Sequence, residues 1–266
     1  MASYQIHQPH PALKHYVRYY WTLDVQLNEE SMLNLQVMAD RYPRIVIQCL
    51  EGKNALYSPD YEAVYAASLK GIATKPVLVR MESTYSHIAA SLFPHSIQAL
   101  FGIDGHETAD AVLDLHHFCD PYTIEQIMEA RHTHVRLALL EAYLLRRLNV
   151  IRTVDWRVVN FSKLSTNTHY GHLLKSYSIS ERQFERKFLQ SIGFTPSYYK
   201  RVLRFEKALF RIQQKCYKSL ADLAYELGYA DQSHFNREFK QFSAMTPLTL
   251  LAQNELVKES GSLLIG

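Results

Sequence analysis

The chain writes one short pattern twice. Phe184-Glu185-Arg186-Lys187-Phe188 returns as Phe235-Asn236-Arg237-Glu238-Phe239, and each copy is followed by a Thr-Pro pair, Thr195-Pro196 and Thr246-Pro247. One offset of 51 residues relates Phe184 to Phe235, Arg186 to Arg237, Phe188 to Phe239 and Gln190 to Gln241. Upstream the offset is 50, with Leu173 matching Leu223 and Ser178 matching Gly228, so one extra residue is expected between Ala230 and Phe235. On a helix turning about 100° per residue, the two phenylalanines of each copy share a stripe and the arginine between them points away. The repeat therefore specifies two similar helices, each burying an aromatic pair and displaying an arginine on its outer face.

Local signals frame these helices. Ser180 and Gln183 form a capping box, and Asp231 is an N-cap for the second copy. Ahead of each lies a scaffold helix, over 169–177 and 219–227, joined by the turns YSIS and GYAD. A helix, a tight turn and a second helix with an outward polar face is the layout of a helix-turn-helix. Between the copies, Thr195-Pro196 reads as N-cap plus N1 proline. Tyr199, Val202, Phe205, Leu209 and Ile212 then mark one face of a linker helix of about 17 residues, roughly 25 Å long. Major-groove faces recur about every 34 Å along a duplex, so a rigid spacer of this scale suits two helices reading one side of DNA.

Charge supports the division. Residues 1–150 hold twelve Lys and Arg against sixteen Asp and Glu, a net of −4, whereas residues 151–266 hold seventeen against ten, a net of +7. Basic excess confined to one half points to a polyanionic partner for that half. With 266 residues, 47% hydrophobic and 21% charged, the chain is long enough for two globular cores. It contains no apolar run long enough to span a bilayer and no secretory layout at its start. Cys49, Cys119 and Cys216 are odd in number and far apart, which suits a reducing compartment. A cytoplasmic location without membrane contact is expected.

The first half reads as strands. Runs 16–25, 44–50, 63–69, 76–81 and 87–93 are rich in Val, Ile and Tyr between turn residues. One helix is expected over about 123–149, opened by the capping box Thr123-x-x-Gln126 and carrying Leu137, Leu140, Leu144 and Leu148, which either pack on the β-structure or form a dimer seam. The segment 150–165 is unpatterned and marks the boundary. Tyr16, Tyr19, Tyr20 and Trp21 either build core or line an effector pocket, and core is favoured. His106, His116-His117 and His132-x-His134 raise a metal reading, but His132 and His134, two apart on a helix, face away from each other.

Residues from about 165 to 253 resemble the AraC/XylS family of bacterial transcription regulators. The resemblance is strongest over SLADLAYELGYADQSHFNREFKQFSAMTPLTL (219–250) and extends to HLLKSYSISERQFERKFLQSIGFTPSYYKRVLRFEKAL (172–209). Ser178 stands where the turn glycine is usual, Leu174 where a small alanine is usual, and Ala244 where a glycine follows the second recognition helix. If that last position has positive φ, alanine there costs about 1 kcal/mol. The resemblance implies two helix-turn-helix units, about 169–194 and 219–243, joined by a linker helix over about 196–214. It also implies that the N-terminal half of each recognition helix enters the major groove. By motif position the DNA-binding residues are then Arg182, Glu185 and Arg186 in the first unit and Gln232, Ser233, Asn236 and Arg237 in the second, with Lys240 beside them. Arginine can grip guanine through two hydrogen bonds and Asn or Gln can pair with adenine, so Arg186, Arg237 and Asn236 lead the list. Arg182, Lys187, Lys200, Arg201, Arg204 and Lys240 are assigned to phosphates.

Segments 10–24, 87–102 and 136–148 are similar to a poorly characterised β-rich domain found ahead of AraC-type domains, which implies effector sensing or dimerisation. The expectation is thus a two-domain α+β protein. Residues 1–150 form a β-barrel or cupin-like domain with helices, and residues 151–266 an all-α domain of two helix-turn-helix units joined by a long helix. Its function is that of a sequence-specific DNA-binding regulator of the activator type. Its partners are double-stranded DNA, RNA polymerase if it activates, and, left open, a small-molecule effector and a second copy of the chain. No catalytic residue, metal or cofactor is assigned, and the effector-binding residues are not fixed. A cupin-like metal-binding enzyme or metal sensor with an accessory DNA-binding domain stays open as the alternative. A repair protein with a methyl-accepting cysteine is disfavoured, because the first half lacks clustered cysteines.

Overall fold

The structure, a computed structural model, describes residues 2–26, 32–49, 54–163, 174–252, 256–257 and 263–265. The five Val/Ile/Tyr-rich runs are all strands: β2 (Val17–Gln26), β4 (Arg44–Gln48), β6 (Ala67–Lys70), β7 (Val77–Met81) and β8 (Thr84–Leu92). Shorter or less apolar segments add β1 (Ala2–His7), β3 (Leu33–Val37), β5 (Leu56–Tyr57) and β9 (Val112–Asp114). Near the C-terminus β10 (Leu256–Val257) pairs with β11 (Leu263–Ile265), which in turn pairs with β3 opposite Leu35–Val37. A large antiparallel sheet has the order β1-β2-β8-β4-β6-β9, and a small one the order β10-β11-β3-β7-β5. The β-rich expectation holds, in the form of two sheets that face each other without closing into one barrel.

Alternation along the strands decides what each face meets. Ile45, Ile47, Leu69, Ile88, Ala90 and Leu92 project from one face of the large sheet and are buried against helices α1 (Ser96–Phe101), α3 (Pro121–Glu129) and α4 (Thr133–Arg147). From the opposite face Leu23, Val25 and Tyr85 meet Leu35, Leu56, Val79 and Met81 of the small sheet. A short helix, α2 (Gly105–Thr108), lies between α1 and β9. The single helix expected over 123–149 is in fact two. Asp120, not Thr123, caps the first, its carboxylate accepting from the Thr123 amide at 2.8 Å and the Thr123 hydroxyl at 2.7 Å. His132 sits at the N-cap position of the second without a side-chain capping bond, so it lies outside the helix, and its ring stacks on His134 at 5.5 Å instead of facing away. Leu140 and Leu144 are fully buried and Leu137 and Leu148 pack beside them, so the leucine stripe belongs to the core of this domain.

The segment expected to be an unpatterned boundary forms α5 (Trp156–Ser162), whose Phe161 packs on Phe184 and Phe188 at 5.3 and 5.1 Å. After it come α6 (Glu181–Ile192), α7 (Pro196–Gln213), α8 (Leu220–Glu226), α9 (Gln232–Ser243) and α10 (Pro247–Ala252). Of the first scaffold helix, residues 174–176 are helical, and 169–173 lie outside the described residues. The repeat governs backbone as well as side chains. Helices α6 and α9 are both 12 residues long and start 51 residues apart, capped by Ser180 and Asp231. Phe184, Phe188, Phe235 and Phe239 are all fully buried. The linker is 18 residues long, about 27 Å, and Tyr199, Val202, Phe205, Leu209 and Ile212 are buried along one side. The extra residue of the second copy falls between the turn residue Gly228 and the cap Asp231, earlier than the sequence alignment placed it.

The two halves interlock. Met38, Ala39 and Ile72 are buried in the core of the C-terminal helices, and the Ala39 amide donates to the Phe242 carbonyl at 2.8 Å. Arg41, just after β3, reaches α7. Its Nε meets a Glu206 carboxylate oxygen at 2.7 Å, and its Nη1 donates to the Tyr199 hydroxyl at 3.0 Å and the Ser162 carbonyl at 3.3 Å. Burial, the largest influence, raises the Glu206 pKa and Arg41 opposes it. Elsewhere α2 presses on the end of α6. A Cβ on Gly105 would lie 2.5 Å from the Gly193 nitrogen, so neither side chain fits there.

Two positions equivalent in the two units adopt the left-handed region. Ser178 and Gly228 do so at φ 49° and 76°, and Gly193 and Ala244 at φ 93° and 67°. Alanine is strained there and loses no packing when removed, because Ala244 is exposed. Ala244→Gly is therefore expected to raise stability by about 1 kcal/mol in urea unfolding, and an unchanged or lowered midpoint would contradict the strain.

Candidate nucleic-acid interface

Capping fixes where each recognition helix begins, and so which side chains face outward. The Ser180 hydroxyl accepts from the Gln183 amide while Gln183 Oε1 accepts from the Ser180 amide, completing the capping box. The Asp231 carboxylate accepts from the His234 amide at 2.6 Å. Arg182, Arg186, Gln232, Ser233, Arg237 and Lys240 are exposed, and Glu185 and Asn236 are half-buried. Register pairs them across the repeat: Arg182 with Ser233, Glu185 with Asn236, and Arg186 with Arg237. Among the described residues neither Arg186 nor Arg237 has an ion-pair partner. Their guanidinium groups stand opposite the buried phenylalanines, as the helical spacing predicts. Asn236 differs: its Oδ1 is enclosed and has no hydrogen-bond partner.

Several cations expected at phosphates also tie the fold together. Lys187 pairs with Asp155, the N-cap of α5, at 2.9 Å. Arg201 and Arg204 of the linker both grip Glu238 of α9 at 2.8 Å. Arg204 also donates to the Gly228 carbonyl at 3.2 Å and lies over the Tyr229 ring, and Arg201 donates to Gln241 Oε1 at 2.9 Å. Lys200 sits near the Phe161 ring, and burial lowers its pKa. Glu238 is the residue that sequence reasoning missed. It occupies the position of Lys187 in the other copy, and that charge reversal was its signal: each unit pins its recognition helix to another helix, with opposite polarity.

Glu238 is only 4% exposed, and burial, its largest influence, disfavours the ionised form. The hydrogen bonds and charges of Arg201 and Arg204 prevail and hold its carboxyl below the usual range. A depressed carboxyl pKa contributes stability above the unfolded-state value, and that contribution is lost as pH falls through the folded value. Glu238→Gln is therefore expected to cost roughly 2 kcal/mol at neutral pH. In urea titrations the gap from wild type is expected to close below about pH 4.5, the ordinary carboxyl value. A gap that stayed constant with pH would show that the charge plays no part.

Among the described residues no group of three or more His, Cys, Asp or Glu side chains is placed to hold a metal ion. Cys49 and Cys119 are buried, which raises both thiol pKa values, that of Cys119 to about 12. No helix of the described residues is long and apolar enough to cross a membrane.

Comparison with known proteins matches two separate segments of the chain. Residues 173–253 match the family model described as a helix-turn-helix domain, and residues 5–114 match a domain of unknown function, DUF6597. The HTH-type transcriptional activator RhaS of Pectobacterium carotovorum subsp. carotovorum is 29% identical over 107 residues, 40% of this chain and 37% of that protein. An uncharacterized HTH-type transcriptional regulator of Haemophilus influenzae is 29% identical over 93 residues, 35% of this chain and 27% of that protein. The matched region thus spans 37% and 27% of the length of these two relatives. Among solved structures, ToxT from Vibrio cholerae O395 aligns over 88% of this chain and 97% of its own, with 12% identity and a TM-score of 0.45. Residues 173–253 are an AraC-type helix-turn-helix domain, and residues 5–114 belong to a domain family of unknown function.

Proposed function

We propose that the chain is a sequence-specific DNA-binding transcription regulator of the activator type, which inserts α6 and α9 into successive major-groove segments of one duplex. The observation that carries this is the matched display of Arg186 and Arg237. Both are exposed and without an ion-pair partner among the described residues, at equal register on equally capped helices, and one rigid linker holds both helices. Arg186 and Arg237 read guanine, and Glu185 accepts from cytosine. Arg182, Gln232, Ser233 and Lys240 contribute base or phosphate contacts around them. For Asn236 to pair with adenine its amide must turn outward, which would also relieve the orphaned Oδ1.

Residues 151–266 act as the DNA-binding domain and residues 1–150 as a domain for effector sensing or dimerisation, in a cytoplasmic protein without an enzymatic role. Activation, the role printed in the name of the RhaS relatives, adds RNA polymerase as a partner. The raised thiol pKa values of Cys49 and Cys119 fit a protein that uses neither as a nucleophile.

Arg186→Ala and Arg237→Ala are each expected to weaken binding to a specific site by ~1–3 kcal/mol and to relax base preference only in their own half-site. Fluorescence anisotropy on operator variants reads both effects. Unchanged affinity in both variants would remove the groove assignment.

A further inference from the structure

Two buried ring nitrogens on the large sheet lack a hydrogen-bond partner among the described residues: Trp21 Nε1 and His87 Nε2. Trp21 on β2 and His87 on β8 lie on neighbouring strands, their rings are 5.9 Å apart, and both side chains are more than nine-tenths buried. An indole N–H can only donate. Burial, with Lys70 and Arg44 adding to it, pushes His87 down to about 3, so its ring is neutral. Its Nδ1 is 2.8 Å from the Tyr85 hydroxyl, and with that hydroxyl donating, Nε2 carries the ring proton. Leaving such donors unmet inside a protein is costly.

Both side chains line a space between the sheets. A recess of about 60 Å³ has Trp21 and His87 in its wall, and a cavity of about 230 Å³ adjoins it, with Val37, Val79, Arg44 and Lys70 shared by the two. Val77 and Leu78 of β7 extend the apolar wall. Four charged side chains border the two spaces, Arg44 and Lys70 against Asp40 and Asp110, so the formal charge of the lining balances. Asp110 is tied back by Thr74, whose amide donates to its Oδ1 at 2.6 Å and whose hydroxyl donates to its Oδ2, and Asp40 is bonded to Arg44. The larger cavity has about one and a half times the volume of a ~150 Å³ hydrocarbon-lined cavity that takes up benzene.

We propose that the space between the sheets binds a compact uncharged molecule with an apolar body and one carbonyl oxygen, the body against Val37, Val77 and Val79 and the oxygen accepting from Trp21 Nε1 and His87 Nε2. This rests on reading the N-terminal domain as an effector domain. A carbonyl oxygen offers two lone pairs and brings no donor of its own, whereas a water or hydroxyl carries in a proton that also needs an acceptor. A carboxylate would add a charge to a lining whose formal charges already balance, in an apolar enclosure where an ion is costly. The site is placed to act on the DNA-binding half. Ile72 and Ala73 line the cavity, Ile72 is also buried among the C-terminal helices, and the Thr74 carbonyl accepts from the Tyr198 hydroxyl of α7 at 2.9 Å. Asp40 and Tyr42, on the same wall, flank Arg41, which grips Glu206.

Calorimetric titration of the full chain without DNA tests this with acetylcyclohexane and cyclohexanecarboxylate, close in shape and unlike in charge. Wild type is expected to bind the ketone roughly tenfold or more tighter than the carboxylate. Trp21→Phe keeps an aromatic ring but removes the N–H, and is expected to weaken ketone binding roughly threefold or more and to move the carbon-13 resonance of the bound carbonyl upfield. The proposal is overturned by no ketone binding, by carboxylate binding as tight as that of the ketone, or by a Trp21→Phe variant whose affinity and carbonyl resonance match wild type. The wild-type comparison decides even where the variant fails to fold. Anisotropy of operator DNA with and without the ketone separates the two readings. Ketone binding with unchanged DNA affinity keeps the site and removes the effector role, whereas carboxylate binding in its place keeps an effector domain and removes the proposal.

Discussion

Both recognition helices rest on one buried face of a single helix, and the rest of the C-terminal domain depends on that contact. Phe188 packs on Tyr199 at 5.4 Å, and Phe239 packs on Phe205 at 5.1 Å. Tyr199 and Phe205 are six residues apart on α7, so the linker's own geometry sets how the two helices are disposed. Burying each phenylalanine is worth about 1.5–3 kcal/mol, which makes the four aromatic anchors the main cohesive element of the domain. The polar ties refine what burial begins. Lys187 with Asp155, and Glu238 with Arg201 and Arg204, fix rotation and tilt that apolar contacts alone leave loose.

The same linker helix is where the N-terminal half takes hold. Arg41 meets Glu206 and Tyr199, the latter being the residue against which Phe188 packs. The Ala39 amide bonds to Phe242 in the last turn of the second recognition helix, while Gly105 and Gly193 bring α2 onto the end of the first. Each recognition helix therefore carries a contact from the N-terminal domain at its C-terminal end. The strand that leads into these contacts, β3, also forms a wall of the cavity between the sheets and pairs with the C-terminal strand β11.

What the sequence made legible was local or periodic. The repeat offset, the caps Ser180, Asp231 and Thr195, and five strands follow from spacing or from the few residue types a backbone position tolerates, and the left-handed position at Ala244 from the family resemblance. The misplacements were local: Asp120 took the cap expected at Thr123, and the first helix ends at Glu129, which leaves His132 ahead of the second. Helix α5 was missed because its buried apolar residues, Val158 and Phe161, are too few to show a period in seven residues. The groups that bring the elements together were harder still. Arg41, Glu206, Glu238 and Lys70 look like surface charges, and only the tertiary fold shows each enclosed. Of the residues proposed to face DNA, helix phase placed Arg182, Arg186, Gln232, Ser233, Arg237 and Lys240 at the surface, whereas Glu185 and Asn236 are half-buried.

The central claim is that one chain presents two recognition helices to one side of a duplex. Hydroxyl-radical and methylation footprinting of the full chain on its flanking genomic DNA tests it most directly. The account predicts two protected segments about ten base pairs apart on one face of the helix, with guanine N7 protected in the major groove of each. A single protected segment, or protection confined to the backbone without any guanine N7, would contradict it.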